Sequence, residues 1–284
     1  MKLLLARDDI KVNSKDSHGC TPLLFAAESG HEVVVKLLLA RDDIEVNSKG
    51  MDGRTPLLLA ALNWHERVVK LLLARDDIEV NSKDMNGHTP LSFAAKYGYE
   101  AVVKLLLARD DIEVNSKDRK GQTPLSFAAL NWHEVVVKLL LAQDDIEVNL
   151  KDRNKRTPLS FAAECRHEAV VKLLLAWDDI KVNSKDWHGC TPLLFAAESG
   201  HEVVVKLLLT WDDIEVNLKD TDGCTPLSFA AEFGHKAVVK LLLAQDDIEV
   251  NSKDMDGHTP LSFAAGWGHQ AMVNLLLEKS IDVS

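Results

Sequence analysis

Hydrophobic positions along the chain fall into one short pattern, repeated. In its first full instance Leu23, Ala26 and Ala27 stand at i, i+3 and i+4, and Val34, Val35, Leu38 and Leu39 follow beyond Gly30. Apolar residues three and four apart share one face of a helix. The pattern therefore predicts two short amphipathic helices, the second from about His31 to Ala40, with Gly30 ending the first in a left-handed conformation. Thr21 can cap the first helix with its hydroxyl, and Pro22 suits the first helical position, where an amide has no intrahelical partner. Asp16-Ser17-His18-Gly19 reads as a tight turn, with Asp favoured at its first position and Gly at its last. Asp42 to Lys49 reads as a polar return that contains Ile44 and Val46.

The pattern has a fixed period. Thr-Pro stands at 21–22, 55–56, 89–90, 123–124, 157–158, 191–192, 225–226 and 259–260, each pair 34 residues after the last. A constant interval of this size marks stacked repeats. Neither helix reaches the roughly 12–15 residues needed to persist alone in water, so neighbouring units must supply the stability. The small alanine pair allows neighbouring backbones to approach closely. Units are expected at residues 16–49, 50–83, 84–117, 118–151, 152–185, 186–219, 220–253 and 254–284. A partial unit over 1–15 matches only the end of a second helix and its loop. Because the chain opens inside a unit, without a polar terminal cap, the expectation is a fragment, or the C-terminal arm of a longer protein. Asp9–Lys49 and Asp179–Lys219 differ at four positions, 17/187, 40/210, 41/211 and 48/218, which points to growth by duplication of a five-repeat block.

The series Asp16-x-x-Gly19-x-Thr21-Pro22-Leu23-x-x-Ala26-Ala27-x-x-Gly30-His31-x-x-Val34-Val35-Lys36-Leu37-Leu38-Leu39 resembles the ankyrin repeat. The resemblance implies an all-α solenoid of stacked antiparallel helix pairs with projecting hairpin-like loops. It also implies protein binding through the loop tips and the concave face of the first helices. This chain departs from the family in having 34 rather than 33 residues per unit, the extra one lying after the second helix. The family's His after Thr-Pro-Leu is Leu24, Leu58 or Leu194 here, and Ser in the other units.

The eight units share a nearly invariant framework. Variation collects at two turn-tip residues, the residue before Thr-Pro, the residues after Ala-Ala and one site after the second helix. All six tryptophans, Trp64, Trp132, Trp177, Trp187, Trp211 and Trp267, lie in or beside these classes, as does Tyr97. Trp and Arg are over-represented at binding hot spots. The plainer account is drift at unconstrained sites. A basic stretch, Arg119, Lys120, Arg153, Lys155 and Arg156, followed by Trp187-His188, suggests recognition of an acidic or phosphorylated segment. The competing account is a degenerate fifth unit, since Lys155 and Arg166 replace its two glycines. The candidate partner-binding residues are Arg119, Lys120, Arg153, Arg156, Trp187, His188, Trp177, Trp211, Trp64, Trp132, Tyr97 and Trp267.

Composition narrows the function. The net charge of −11 over 284 residues opposes nucleic-acid binding, which rests on Lys and Arg neutralising phosphates. No apolar run reaches 18 residues, so no membrane span is expected. The four-residue apolar start is too short for a signal peptide. Of the four cysteines, Cys20, Cys190 and Cys224 share one repeat position, whose copies should lie about 8–10 Å apart, beyond disulfide reach. Free thiols and a cytoplasmic setting are expected. Seven of the eleven histidines (His31, His65, His133, His167, His201, His235, His269) share the start of the second helix, a structural position; the remaining four are read as tip residues. Asp254-Met255-Asp256-Gly257 lacks the remaining ligands of a calcium loop, and the recurrent Asp-Asp pairs read as a solvated acidic ridge. No phosphate-binding or nucleophile-elbow motif is present. The expectation is a non-catalytic protein-binding module with no cofactor, metal, membrane or small-molecule substrate. The alternative is the sensor arm of a larger enzyme or NLR-like signalling ATPase.

Overall fold

The computed structural model describes residues 11–282; the partial unit expected at 1–15 lies mostly outside them. Sixteen helices and no strand occur among the described residues. First helices are α1 (Pro22–Glu28), α3 (Pro56–Leu62), α5 (Pro90–Tyr97), α7 (Pro124–Leu130), α9 (Pro158–Glu164), α11 (Pro192–Glu198), α13 (Pro226–Glu232) and α15 (Pro260–Gly266). Their partners are α2 (Glu32–Leu39), α4 (Glu66–Leu73), α6 (Glu100–Leu107), α8 (Glu134–Leu141), α10 (Glu168–Leu175), α12 (Glu202–Leu208), α14 (Lys236–Leu243) and α16 (Gln270–Asp282). The chain divides into two compact units, one ending at Glu147 and one beginning at Val148. Within each, every first helix packs on the next first helix and on its own partner, and second helices pack on second helices. Each unit is an all-α repeat solenoid.

Each first helix starts as its sequence requires. The N-cap threonine is extended, and its hydroxyl accepts from the third helical amide, as in Leu24 N to Thr21 Oγ1 at 3.3 Å. Where Ser follows Pro-Leu it can reciprocate. Ser92 Oγ accepts from Thr89 N at 2.9 Å, closing a capping box. Where Leu stands there instead, Leu24, Leu58 and Leu194 are fully buried. The core of each unit is built from Leu-x-x-Ala-Ala of the first helix and Val-Val-x-x-Leu of the second, with Leu57, Leu91, Leu159 and Leu193 completely enclosed. Burying a leucine side chain contributes about 1.5–3 kcal/mol.

The histidine position has the structural role expected of it. His65 Nε2 bonds the carbonyl of Glu28 in the preceding repeat at 2.8 Å, and His133, His201, His235 and His269 make the same bond to Lys96, Glu164, Glu198 and Glu232. This ring also crowds the left-handed glycine before the second helix. A Cβ on Gly200, at φ 70°, would stand 2.5 Å from His235 Nδ1.

The polar return loops bury apolar residues of their own. Ile44 and Val46 are buried, and so are Ile78, Val80, Ile146, Val148, Ile180 and Val182. The polar residues between them form a ladder. Asn81 Nδ2 donates to Asp111 O at 2.7 Å, and its Oδ1 accepts from Glu113 N at 2.9 Å, tying one loop to the next. Asn13, Asn47 and Asn115 do the same in the first unit, and Asn149, Asn183 and Asn217 in the second. Lysine ammonium groups add a parallel row, Lys185 to Lys219 O and Lys219 to Lys253 O, each at 2.8 Å. Among the described residues the Asp-Asp pairs are exposed, as read, with the second Asp bonded by Arg41, Arg75 or Arg109.

Candidate partner-binding surface

The turn tips are pre-formed. Asp186 Oδ1 accepts from His188 N and Cys190 N at 2.9 and 2.8 Å, and the equivalent Asp holds the other tips except the second, where Gly50 stands in its place and Asp52 Oδ1 accepts from Arg54 N at 3.0 Å. Backbone bonds link successive tips, as in Thr221 N to His188 O at 2.8 Å and Arg119 N to Asn86 O at 2.8 Å. The two tip side chains are thus held outward while their backbone is fixed. Asp254, Asp256 and His258 bring ligand-type atoms within 4.8 Å of one another, in a turn whose Asp accepts the same two amides as Asp186 does in its own tip.

The twelve candidate residues separate into five places. Arg119 and Lys120 of the first unit, and Arg153, Trp187 and His188 of the second, are exposed tip residues. Trp187 is 66% exposed, and Lys155 Nζ lies 5.6 Å from its ring centroid. Arg156 is not part of this basic fringe. Its guanidinium lies over Phe161 and Phe195, 4.3 and 4.6 Å from their centroids, and pairs with Glu164 on the inner face. The residue before Thr is the last before an extended cap, so its side chain leaves the tip and lies against the first helices. His258, against Phe263 at 5.5 Å, obeys the same rule, and so does His88, which corrects the reading of both as tip residues. His88 stands between Asp84 and Asp118 at 3.4 and 3.6 Å and against Phe93 and Phe127.

Tyr97 and Trp267 occupy one position at the end of the first helix and are exposed. Trp64 and Trp132 occupy the next, the left-handed residue between paired helices, with φ of 60° and 61°. Five other repeats place Gly30, Gly98, Gly200, Gly234 and Gly268 there, and Arg166 is the remaining exception. A non-glycine residue in this region costs about 1 kcal/mol or more. Trp177 and Trp211 lie elsewhere, half-buried where the second helix runs into the return loop; Trp211 lines an open cleft with Ile180, Val182 and Asp213.

The inner face has its own electrostatics. In the second unit Glu164, Glu198 and Glu232 follow one another along the first helices, and Cys190 and Cys224 lie beside the tip carboxylates. Burial, then Glu164, Asp220 and Glu232, raise the Glu198 carboxyl above its ordinary value. Burial, then Asp186 and Asp220, push the Cys190 thiol up to about 12, and burial with Asp220 and Asp254 does the same to Cys224. All four cysteines are free thiols. In the first unit the corresponding positions are mixed: Arg54 lies over Phe93 at 5.8 Å, and Lys96 over Tyr97 and Phe127 at 5.6 and 5.7 Å. Tyr99, at the histidine position, was not among the candidates; its only sequence signal is that an aromatic ring replaces a framework His opposite Trp64.

A family model described as "Ankyrin repeats (3 copies)" matches residues 34–118, 68–152, 110–186, 147–220 and 193–284, and a single "Ankyrin repeat" model matches 18–48. The chain belongs to the ankyrin-repeat family. No curated protein matches it. Ankyrin repeats are in general protein-interaction modules. No helix among the described residues of this ankyrin array is long and apolar enough to cross a membrane.

Proposed function

We propose that this ankyrin array is a non-catalytic module that binds a protein partner through its loop tips and the inner face of its first helices. The observation that carries the reading is the contrast within each repeat. The tip backbone is held by an Asp side chain and by bonds between successive tips, while the side chains it displays vary along the array and include the exposed Trp187 and Arg153. Pre-organised backbone with exposed Trp and Arg lowers the ordering cost of association and supplies hot-spot chemistry. The acidic row Glu164, Glu198 and Glu232 supports a basic stretch of partner against the second unit's inner face.

The test uses the immobilised chain and lysate of its source cells, with bound proteins quantified for wild type, the pair Arg153→Ala/Trp187→Ala, and Trp211→Ala. The reading expects a protein set captured by wild type and Trp211→Ala and depleted at least tenfold with the tip pair. Equal capture by the tip pair, with helical content intact, would refute it.

A further inference from the structure

The first unit has a second concave feature, at the end of the first helices away from the tips. Here the chain turns through Trp64, whose indole is 64% exposed in left-handed backbone. The ring stacks on Tyr99, centroids 6.0 Å apart and planes within 17°, and Tyr99 stacks on Tyr97 at 5.7 Å and 24°. Tyr97 in turn lies parallel to Phe93 at 6.4 Å. Rings therefore run without a break from the inner face to the turn edge. Beside them is an open cleft of about 500 Å³ lined by Trp64, Glu66, Gly98, Tyr99, Glu100 and Lys104.

The two carboxylates differ from those of the neighbouring repeats on either side. Glu32 and Glu134, at the same helix start, pair with Lys36 and Lys138 at 2.8 and 2.5 Å. Among the described residues no cationic side chain lies within 4 Å of Glu66 or Glu100, although Lys70 and Lys104 stand four residues on. Their oxygens are open to a donor from outside.

We propose that this cleft receives an arginine side chain of a protein partner, stacked on the open face of Trp64 and hydrogen-bonded to Glu66 and Glu100. A guanidinium is flat, stacks on aromatic faces and offers five donors in a rigid fork. Its bonds to carboxylates are charge-assisted. A quaternary ammonium would use the rings and leave the carboxylates unused, as would a proline ring; a lysine ammonium is a point charge that does not stack flat. The chain uses the same chemistry internally, where Arg156 lies over Phe161 and Phe195 and pairs with Glu164. The positive ends of α4 and α6, each equivalent to about half a charge, and Lys104 largely offset the two carboxylates. Selection therefore rests on stacking and bond geometry rather than on net field. The site goes beyond the tip-and-inner-face reading and does not depend on it.

The experiment titrates the isotopically labelled full chain with a capped Gly-Arg-Gly peptide and follows the Trp64 indole N–H and the Gly98 and Ala101 amides by NMR. The expected result is a saturable shift at all three, with capped Gly-Lys-Gly binding several-fold more weakly. Trp64→Gly restores the residue most repeats carry, so the fold is retained. It and Glu100→Gln should each weaken arginine binding about three- to fivefold, the size of one exposed cation–π contact, and Arg153→Ala should leave it unchanged. Absence of a saturable shift, equal or tighter binding of trimethyl-lysine or proline peptides, or unchanged affinity in both variants would overturn the assignment. The capture experiment on the tip variants stands or falls separately.

Discussion

Removing one rung of the asparagine ladder measures what holds successive loops together. Asn81→Ala deletes two bonds at once, from Asn81 Nδ2 to Asp111 O at 2.7 Å and from Glu113 N to Asn81 Oδ1 at 2.9 Å. A typical intramolecular hydrogen bond contributes about 0.5–1.5 kcal/mol net. Asp111 and Glu113 are exposed, so water can replace part of what is lost, and the expected cost is about 1–2 kcal/mol. Urea unfolding followed by far-UV circular dichroism gives the loss. Amide exchange locates it: the Glu113 amide should exchange about tenfold faster, since 1.4 kcal/mol is a factor of ten. The Glu79 amide, held by Asn47 Oδ1 at 3.0 Å, should be protected as before. Asn81→Asp separates the two bonds. It keeps an acceptor for Glu113 N but turns a negative oxygen toward the Asp111 carbonyl, so above pH 5 it should cost at least as much as alanine. Below pH 3 the protonated carboxyl can donate, and part of the loss should return. An unchanged urea midpoint together with unchanged exchange at Glu113 would show that the ladder decorates a stack held by its apolar core alone.

Gly200→Ala should destabilise by about 1.5–3 kcal/mol, combining left-handed strain with a Cβ 2.5 Å from His235 Nδ1; calorimetry of Gly200→Ala/His235→Ala should give less than the sum of the two single losses, and strict additivity would refute the steric account. Burial and neighbouring acids raise Glu198, so the folded state favours its protonated form, at no cost below the unfolded pKa and at full cost above the folded one. Glu198→Gln should thus raise the urea midpoint at pH 7 and not at pH 4, whereas an equal gain at both would rule out charge. With Cys190 and Cys224 raised from 9.0 to about 12, their thiolate fraction at pH 8 falls about a thousandfold; a thiol reagent should label them slowly in the native protein and quickly in urea, and fast native labelling would contradict the burial.

The helix pairs were legible because their cause is local: a hydroxyl cap, a proline at the first turn, apolar spacing of three and four, and a left-handed stop. The loop ladder was not, because an asparagine in a polar stretch carries no periodic signal, and only its recurrence at Asn47, Asn81 and Asn115 hints at a role. Arg156 and Arg153 are three residues apart and look alike in a list of tip cations. One more link, the extended cap at Thr157, turns Arg156 inward to Phe161, Phe195 and Glu164 while Arg153 stays in water. The same link decides His88. Trp177 and Trp211 share a residue type with Trp187 but sit half-buried at the far end of the second helix, beside the return loop. Composition at variable positions was visible; direction was not.

Direction also separates drift from selection. At the tips, exposed side chains on a fixed backbone change at almost no cost to the fold, so their variety says little about use by itself. The left-handed position is different. Tryptophan there costs about 1 kcal/mol relative to glycine, and Trp64 and Trp132 together about 2 kcal/mol, against a total stability on the order of 5–15 kcal/mol. Glycine is what duplication of a neighbouring unit would supply, since five repeats carry it. Within the fold Tyr99 covers one face of Trp64, yet the indole remains 64% exposed. A strained backbone and an exposed ring in one residue are two costs that packing does not recover. Trp64→Gly is accordingly the substitution that discriminates: it should stabilise the chain and weaken what the turn edge binds, and drift accounts only for the first of these.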